Sequence, residues 1–227
     1  KAPKRAEGEI TRQDILALVL GSKKNLVYVH AGAGFGKTTV LSQIAHSRDN
    51  IVWLTLDGES DIFTFVNTLS EAVRRTFPAY DFNVSEYLPF EGEDNFITIL
   101  ANAFLSSVEK LSPDLTLILD DLHTTANLQI KNLIACIMKY TPDDIRLCLS
   151  SREAPWPELI SLRVRGKILE LTQKELVFTK NETKQLLGFA DENIYSLTEG
   201  WTLVIGSFKL LLENGVSLVD IPAVGND

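Results

Sequence analysis

The sequence predicts an α/β fold: a five-stranded parallel sheet with helices on both faces, followed by a small helical subdomain. Short apolar segments of strand length alternate with longer segments of helical periodicity through most of the chain. A glycine-rich turn joins the first of these strands to the next helix. Beyond about residue 178 only helical periodicity remains. We therefore expect an N-terminal segment over 1–25, a core over 26–177 and a helical lid over 178–227.

Five segments are nearly continuously apolar, as is typical of parallel strands covered on both faces: 26–30, 51–57, 115–122, 145–152 and 167–172. Apolar side chains at helical spacing predict helices around 13–20, 61–76, 95–111 and 130–138. The segment 77–94 shows no period and is predicted to be irregular. After the fifth strand, Thr179 and Glu182 have the spacing of a capping box, which predicts the first helix of the lid.

The composition is that of an ordinary globular domain. Of 227 residues, 45% are hydrophobic and 23% are charged, and the formal net charge of −8 argues against a basic surface for nucleic-acid phosphates. No apolar run is long enough to span a membrane, so we expect a cytoplasmic protein without a membrane partner. Cys136 and Cys148 lie among apolar neighbours without the spacing of a metal site, which predicts buried thiols.

The segment 29–39, Val-His-Ala-Gly-Ala-Gly-Phe-Gly-Lys-Thr-Thr, is typical of a phosphate-binding loop. Its alternate glycines allow the backbone N–H groups to point inward, and Lys37 can reach the β- and γ-phosphates of a nucleotide. Ala31 stands where the usual pattern has glycine. A strand before the loop and a helix after it are the context that a P-loop NTPase requires. We predict that ATP or ADP binds at Gly32, Ala33, Gly34, Phe35, Gly36, Lys37, Thr38 and Thr39.

Two acids end the third predicted strand. Mg²⁺ prefers oxygen ligands and keeps several waters, so we expect the Thr38 hydroxyl and, through water, the Asp120 carboxylate to hold this ion beside the phosphates. Asp121 is predicted to activate an attacking water as general base. The alternative for either acid is that it caps the next helix or solvates a loop.

Arg152 ends the fourth predicted strand, at the same edge of the sheet. Its guanidinium could detect the γ-phosphate and so distinguish ATP from ADP, with a surface ion pair as the alternative interpretation. Together with Lys37 and Asp121 it completes the predicted catalytic set. His123 and Trp201 are predicted to be structural side chains, although Trp201 could contact the nucleotide.

These motifs occur in an order that resembles the N-terminal ATPase of the large MalT-like regulators of the LuxR type. The resemblance is carried by the segments 31–39, 52–57 and 117–123 and continues through 149–152, 162–171 and 198–201. It implies an AAA+/STAND-like fold, with Lys37, Thr38, Asp120 and Arg152 at the nucleotide. Arg12, at which the resemblance begins, is added to the expected nucleotide-binding residues. The family usually has proline at the position of Thr202.

The resemblance implies a regulatory switch that binds ATP or ADP and hydrolyses ATP slowly, with self-association favoured in the ATP form. A small-molecule inducer and promoter DNA would then bind only through domains outside this sequence. Two other classes of function remain open from the residues: a turnover enzyme, such as a chaperone-like ATPase or a P-loop small-molecule kinase, and an interaction module whose phosphate loop is a relic.

Overall fold

The five-stranded parallel sheet is confirmed by a computed structural model, which describes residues 1–58, 61–111 and 114–215. The C-terminal part of the predicted lid, residues 216–227, lies outside the described residues. The strands run in the order β2-β3-β4-β1-β5 and all their pairings are parallel. Their bounds are β1 (Leu26–His30), β2 (Ile51–Thr55), β3 (Thr116–Asp120), β4 (Arg146–Ser151) and β5 (Ile168–Leu171).

Helices connect these strands and continue after the last of them. The first five are α1 (Gln13–Gly21), α2 (Lys37–His46), α3 (Ile62–Thr76), α4 (Phe96–Glu109) and α5 (Leu128–Tyr140). The others are α6 (Ile160–Val164), α7 (Gln173–Leu176), α8 (Lys180–Leu187), α9 (Glu192–Thr198) and α10 (Thr202–Glu213). Within the described ranges, none of these helices is long and apolar enough to cross a membrane.

The sheet is covered on both faces, as its apolar strands require. Alternate residues of each strand point to opposite faces, so every strand contributes to two cores. One core packs the sheet against α3, α4 and α5, and the other packs it against α1 and α2. Cys148 is fully buried in the second core, where burial raises the pKa of its thiol to about 12, and both cysteines are free thiols. The strand bounds therefore follow from burial on both sides.

Residues 77–94 differ from the predicted irregular loop because they contain a 3₁₀ helix, Val84–Phe90, in which Val84 is buried in the core and Tyr87 packs against it. Phe82 stacks on Tyr87 and meets the ring of Phe104 edge to face. Arg74 ties the segment to α3 by donating hydrogen bonds to the backbone carbonyls of Tyr80 and Phe82. The aromatic residues that gave no period in sequence are thus packed across a short turn.

The helices α8, α9 and α10, here called the lid, begin with the predicted capping box. Thr179 and Glu182 cap α8 reciprocally, and Gly188 ends that helix in the left-handed conformation. Between α9 and α10, Gly200 also has a positive φ of +79°, and a Cβ atom at this position would lie 2.3 Å from the Phe178 carbonyl oxygen. Gly200 therefore provides both a left-handed turn and a close approach of two backbone segments.

We predict that Gly200→Ala destabilises the protein considerably more than Gly188→Ala. Both changes place an L side chain in the left-handed region, which costs roughly 1–2 kcal/mol. Only the Gly200 variant also drives Cβ into a backbone carbonyl, because nothing lies within 4 Å of a Cβ at Gly188. Thermal unfolding of the two variants checks this, and equal losses of Tm would contradict the close approach at Gly200.

Candidate nucleotide-binding site

The glycine-rich loop lies between β1 and α2, at the carboxyl edge of the sheet. Gly34 and Gly36 have φ angles of +74° and +77°, a conformation that L side chains rarely adopt. Gly36 is also the residue that precedes α2, so the chain turns directly into the helix N-terminus. Gly32 is less constrained, because a Cβ there would meet only the Phe35 ring, at 3.5 Å. The loop geometry thus depends on two of its three glycines.

Lys37 is held inside the loop. Its Nζ donates hydrogen bonds of 2.9 and 2.8 Å to the carbonyl oxygens of Ala31 and Gly32. Burial lowers the pKa of Lys37, and the positive charge of Arg152 acts in the same direction, whereas Asp121 and Asp120 oppose it. The ammonium is therefore fixed by two carbonyls of the loop and lies close enough to both acids at the end of β3 for their charges to act on it.

Asp120 and Thr38 come together as the sequence predicts for a metal site. The Thr38 hydroxyl donates to Asp120 Oδ2 at 2.9 Å, and the Ser150 hydroxyl on β4 donates to Asp120 Oδ1. Asp120 is 1% exposed, and this burial raises the pKa of its carboxyl despite both hydroxyl donors. A hydroxyl and a carboxylate side by side are the hard oxygen ligands that Mg²⁺ prefers, so these residues fit the ion.

Asp121 differs from Asp120 in conformation and surroundings. It is a non-glycine residue with φ +60°, and its backbone N–H donates to Ser150 Oγ at 3.0 Å. Its carboxylate is 36% exposed and lies 3.8 Å from the Nδ1 atom of His123. The negative charge of Asp121 acts on both Asp120 and Lys37, which places this carboxylate near the loop. A strained residue that is held by a neighbour is a frequent feature of functional sites.

Arg152 and His123 lie at the same edge of the sheet. Arg152 follows directly after β4 and is exposed. Burial lowers the pKa of His123, with a further lowering from the positive charge of Arg152 and an opposing contribution from Asp121. These charges act on one another across the ends of β3 and β4, as expected for parallel strands whose carboxyl ends meet at one edge.

The lid contacts the phosphate-binding loop directly, which sequence reasoning missed. At the start of α10, Trp201 Nε1 donates to the Ala33 carbonyl at 3.3 Å, and the backbone N–H of Leu203 donates to the Gly34 carbonyl at 3.0 Å. The Thr202 hydroxyl donates to the same Gly34 carbonyl. These bonds join the lid to two carbonyls of the loop, on residues that the motif alone assigned to phosphate binding.

Ring stacking and close packing strengthen this contact. Phe35 and Trp201 stack with ring centroids 5.5 Å apart. A Cβ atom on Gly34 would lie 2.6 Å from Leu203 Cβ, so the absence of a side chain at Gly34 is what lets α10 approach. Trp201 is therefore a docking side chain of the lid that remains 37% exposed, and it is not the core residue that the sequence suggested.

A cavity of about 320 Å³ lies beside the loop, between the N-terminal segment and the lid. Its wall is mostly apolar, and its lining includes Gly34, Gly36 and Thr39 from the loop and α2. The remaining lining residues are Glu9, Ile10, Arg12, Val40, Phe178, Leu186, Thr202 and Leu203. Ile10, Phe178 and Leu186 could not be assigned from the motif, because they come from three separate parts of the chain.

Arg12 borders this cavity, but its guanidinium is directed at protein atoms. It is 4% exposed and pairs with Glu182, with Nε 2.8 Å from Oε1. Its terminal nitrogens donate to the backbone carbonyls of residues 175, 176 and 177. Contact between Arg12 and a nucleotide stays a prediction of the sequence analysis.

Comparison with known proteins supports the class of fold. No protein-family model matches the chain. Its structure is similar to a Walker-type ATPase of Pyrococcus abyssi, with a TM-score of 0.63 at 13% identity over 95% of this chain and 71% of the other. Chains from Drosophila ORC bound to AT-rich DNA and Cdc6 and from C. elegans PCH-2 align at TM-scores of 0.44 and 0.36. The ORC chain is 13% identical and aligns over 92% of this chain and 74% of its own length. The PCH-2 chain is 10% identical and aligns over 93% of this chain and 49% of its own length.

The chain therefore has the fold of a P-loop NTPase, of the type found in ATPases. The phosphate-binding loop after β1, the acidic end of β3 and the strand order define this class together.

We predict that Asp120→Asn stabilises the protein in the absence of nucleotide and Mg²⁺. The raised pKa means that the folded state holds the Asp120 proton more tightly than the unfolded state, so ionisation at pH 7 opposes folding. An amide can accept from one neighbouring hydroxyl and donate to the other. The gain at pH 7 should fall within the roughly 0.5–2 kcal/mol that is typical of single stabilising substitutions.

Thermal unfolding at several pH values tests this. The advantage of the Asn variant should shrink as the pH falls from 7 towards the ordinary range of an aspartate. It should be lost below that range, where Asp120 is protonated in both the folded and the unfolded state. Asp121→Asn, at the more exposed neighbour, serves as the matched control and should change Tm little. A lower Tm of Asp120→Asn at pH 7 would contradict the assignment of a buried carboxylate that is destabilised by desolvation.

Proposed function

We propose that this domain binds ATP or ADP with Mg²⁺ and hydrolyses ATP slowly, so that the nucleotide state acts as a switch. The observation that carries the proposal is one juxtaposition. Lys37, Thr38 and Asp120 lie together at the phosphate-binding loop, and a mostly apolar cavity lies beside that loop, between the N-terminal segment and the lid. The charged groups can bind the phosphates of ATP or ADP, and the apolar cavity can receive the adenine ring.

Each polar side chain has a distinct role in this proposal. The loop N–H groups and Lys37 bind phosphate oxygens, and the Thr38 hydroxyl and Asp120 hold Mg²⁺, which supplies charge neutralisation when it is bound. Asp121 is partly exposed, and its charge acts on Lys37. In this proposal it accepts the proton of the attacking water. Arg152, at the end of β4, donates hydrogen bonds to the γ-phosphate and so distinguishes ATP from ADP.

The lid gives the proposed switch its moving part. Its contacts with the carbonyls of Ala33 and Gly34 join it to the loop that holds the phosphates. A change in the conformation of the loop on hydrolysis would therefore alter the position of the lid. A nucleotide switch changes its shape in this way. We place the boundaries of this arrangement at residues 1–25 for the N-terminal segment, 26–177 for the core and 178–227 for the lid.

The particular switch that we propose is the ATPase domain of a MalT-like regulator of the LuxR type, in the cytoplasm. The order of the motifs in the sequence supports this assignment, and the P-loop ATPase fold is compatible with it. In such a protein the ATP form would self-associate and activate transcription. An inducer and promoter DNA would be recognised by domains beyond this sequence.

We predict that Lys37→Ala weakens the binding of ADP by roughly 10- to 100-fold, the loss expected for hydrogen bonds to a charged group. Titration with a fluorescent ADP analogue measures the affinity. Lys110→Ala, which removes a lysine from the exposed C-terminal end of α4, is the matched control and should bind as the unmodified protein does. Unchanged affinity of the Lys37 variant would remove the loop as the nucleotide site.

We predict that Asp121→Asn slows ATP hydrolysis by roughly 100-fold or more while ATP remains bound, because it removes a general base without removing the proposed Mg²⁺ partner. Asp120→Asn should instead weaken the Mg²⁺ dependence of binding. Hydrolysis and nucleotide affinity are measured side by side for both variants. An equal loss of affinity in the Asp121 variant would show that this carboxylate is a ligand and not a base.

A further inference from the structure

The junction between the core and the lid is a short connection with two helix ends close together. Helix α7 ends at Leu176 and α8 begins at Lys180, so only three residues separate them. Each helix starts with a complete capping box, formed by Thr172 with Glu175 and by Thr179 with Glu182. The carbonyls at the end of α7 have no partners within that short helix and require donors from elsewhere.

Arg12 supplies those donors from the N-terminal segment. Its NH1 atom donates to the Leu176 carbonyl at 2.7 Å, and NH2 donates to the carbonyls of Glu175 and Val177, each at 3.0 Å. The same guanidinium meets the Glu182 carboxylate through Nε and lies over the Phe178 ring, with Cζ 5.0 Å from the centroid. One side chain therefore contacts the end of α7, the connecting residues and the first turn of α8.

Arg12 is also fixed to the helix that follows the phosphate-binding loop. Its backbone N–H donates to Gln43 Oε1 on α2 at 2.8 Å. The Gln43 amide donates in turn to Glu9 Oε1 and to the Ile10 carbonyl, at 2.7 and 2.8 Å. The N-terminal segment is thus bonded to α2 through its backbone and to the lid junction through the Arg12 side chain.

Four of the five N–H groups of the guanidinium are used in these bonds. A side chain that is 4% exposed and so fully engaged has little capacity left for a phosphate or a sugar hydroxyl. The fork geometry of arginine matches three carbonyls and one carboxylate in a way that an ammonium cannot. This arrangement favours a structural link over direct contact with the nucleotide.

We propose that Arg12 is a positioning residue that pins the junction of core and lid and thereby sets how the lid closes the cavity beside the phosphate-binding loop. This proposal deepens the proposed function, on which it rests for the identity of the molecule that the cavity receives. The contacts of Arg12 with Phe178 and α8 hold one side of the cavity in place. On the other side, Trp201 and Leu203 hold the lid against the loop. Weaker contacts of Arg12 with the lid junction should therefore let bound nucleotide dissociate faster.

The experiment uses conservative variants, because removal of a buried ion-pair partner can unfold a protein. Arg12→Lys keeps the charge but loses the fork. Glu182→Gln removes the charge on the partner, while glutamine can still serve in a capping box. Glu175→Gln is the matched control, since its side chain has the same capping role on α7 but does not contact Arg12. Each glutamine change is combined with Arg12→Lys in a double-mutant cycle.

Two measurements are made on each variant. Amide hydrogen exchange without nucleotide reports the lid junction over 176–188 and the loop contact over 200–206, with β1 and β3 as internal references. The dissociation rate of a fluorescent ADP analogue reports how firmly the lid closes the cavity. We expect Arg12→Lys and Glu182→Gln each to speed exchange in both lid segments and release of the analogue by roughly 10-fold, with β1 and β3 unchanged. The two changes should be non-additive, whereas Glu175→Gln and Arg12→Lys should be additive.

Two results would overturn the proposal. Faster ADP release with unchanged exchange in the lid would show that Arg12 contacts the nucleotide directly. Equally faster exchange in β1, β3 and the lid would show that Arg12 supports global stability only. If the unmodified protein binds no ADP, the proposed function fails, but the exchange measurement is made without nucleotide and still decides whether Arg12 pins the lid.

Discussion

The close approach of the lid to the phosphate-binding loop at Gly34 is the contact on which the site depends. Gly34 has a positive φ, leaves space for Leu203 and offers its carbonyl to two donors of the lid. A loop of this class needs its N–H groups directed inward, which leaves some carbonyls directed outward without partners inside the loop. The start of α10 satisfies two of these carbonyls. Phosphate binding and lid position are therefore connected through one peptide segment.

Two buried networks hold the groups around this contact. On the sheet side, Asp120 accepts from the hydroxyls of Thr38 and Ser150, so α2, β3 and β4 meet at one carboxylate. On the lid side, Arg12 and Gln43 connect the N-terminal segment to α2 and to the lid junction. Both networks place charged groups out of solvent, where each must be fully partnered. The cavity beside the loop lies against the lid-side network.

Much of the fold could be predicted from the sequence, because its determinants are local. The strands of the sheet are covered on both faces and read as continuous apolar runs, and the Thr179–Glu182 capping box is visible as a spacing. The second capping box, Thr172 with Glu175, has the same spacing and could have predicted α7. The loop, its lysine and the Thr38–Asp120 pair follow from a motif whose structural context was also readable.

The remaining features depend on contacts between distant parts of the chain. Arg12 is bonded to residues more than 160 positions away, and no local pattern marks that pairing. Trp201 has the spacing of a core residue, and its docking on the loop is visible only from its stacking on Phe35 and its hydrogen bond to the Ala33 carbonyl. The 3₁₀ helix at Val84–Phe90 gives no period in sequence, because it is short and its Tyr87 stacks on Phe82, which precedes the helix. These features are tertiary, and sequence spacing does not encode them.

As a switch, this domain would hold ATP and then its product. A single-turnover experiment tests it most directly, with protein in excess over labelled ATP and Mg²⁺ and with both bound label and ADP followed over time. We expect that the label binds, that ADP forms slowly and that the ADP stays bound. Rapid conversion with prompt release of ADP would indicate a working ATPase, and the absence of retained label would show that the loop binds no nucleotide in this chain. Either result would contradict the proposed switch.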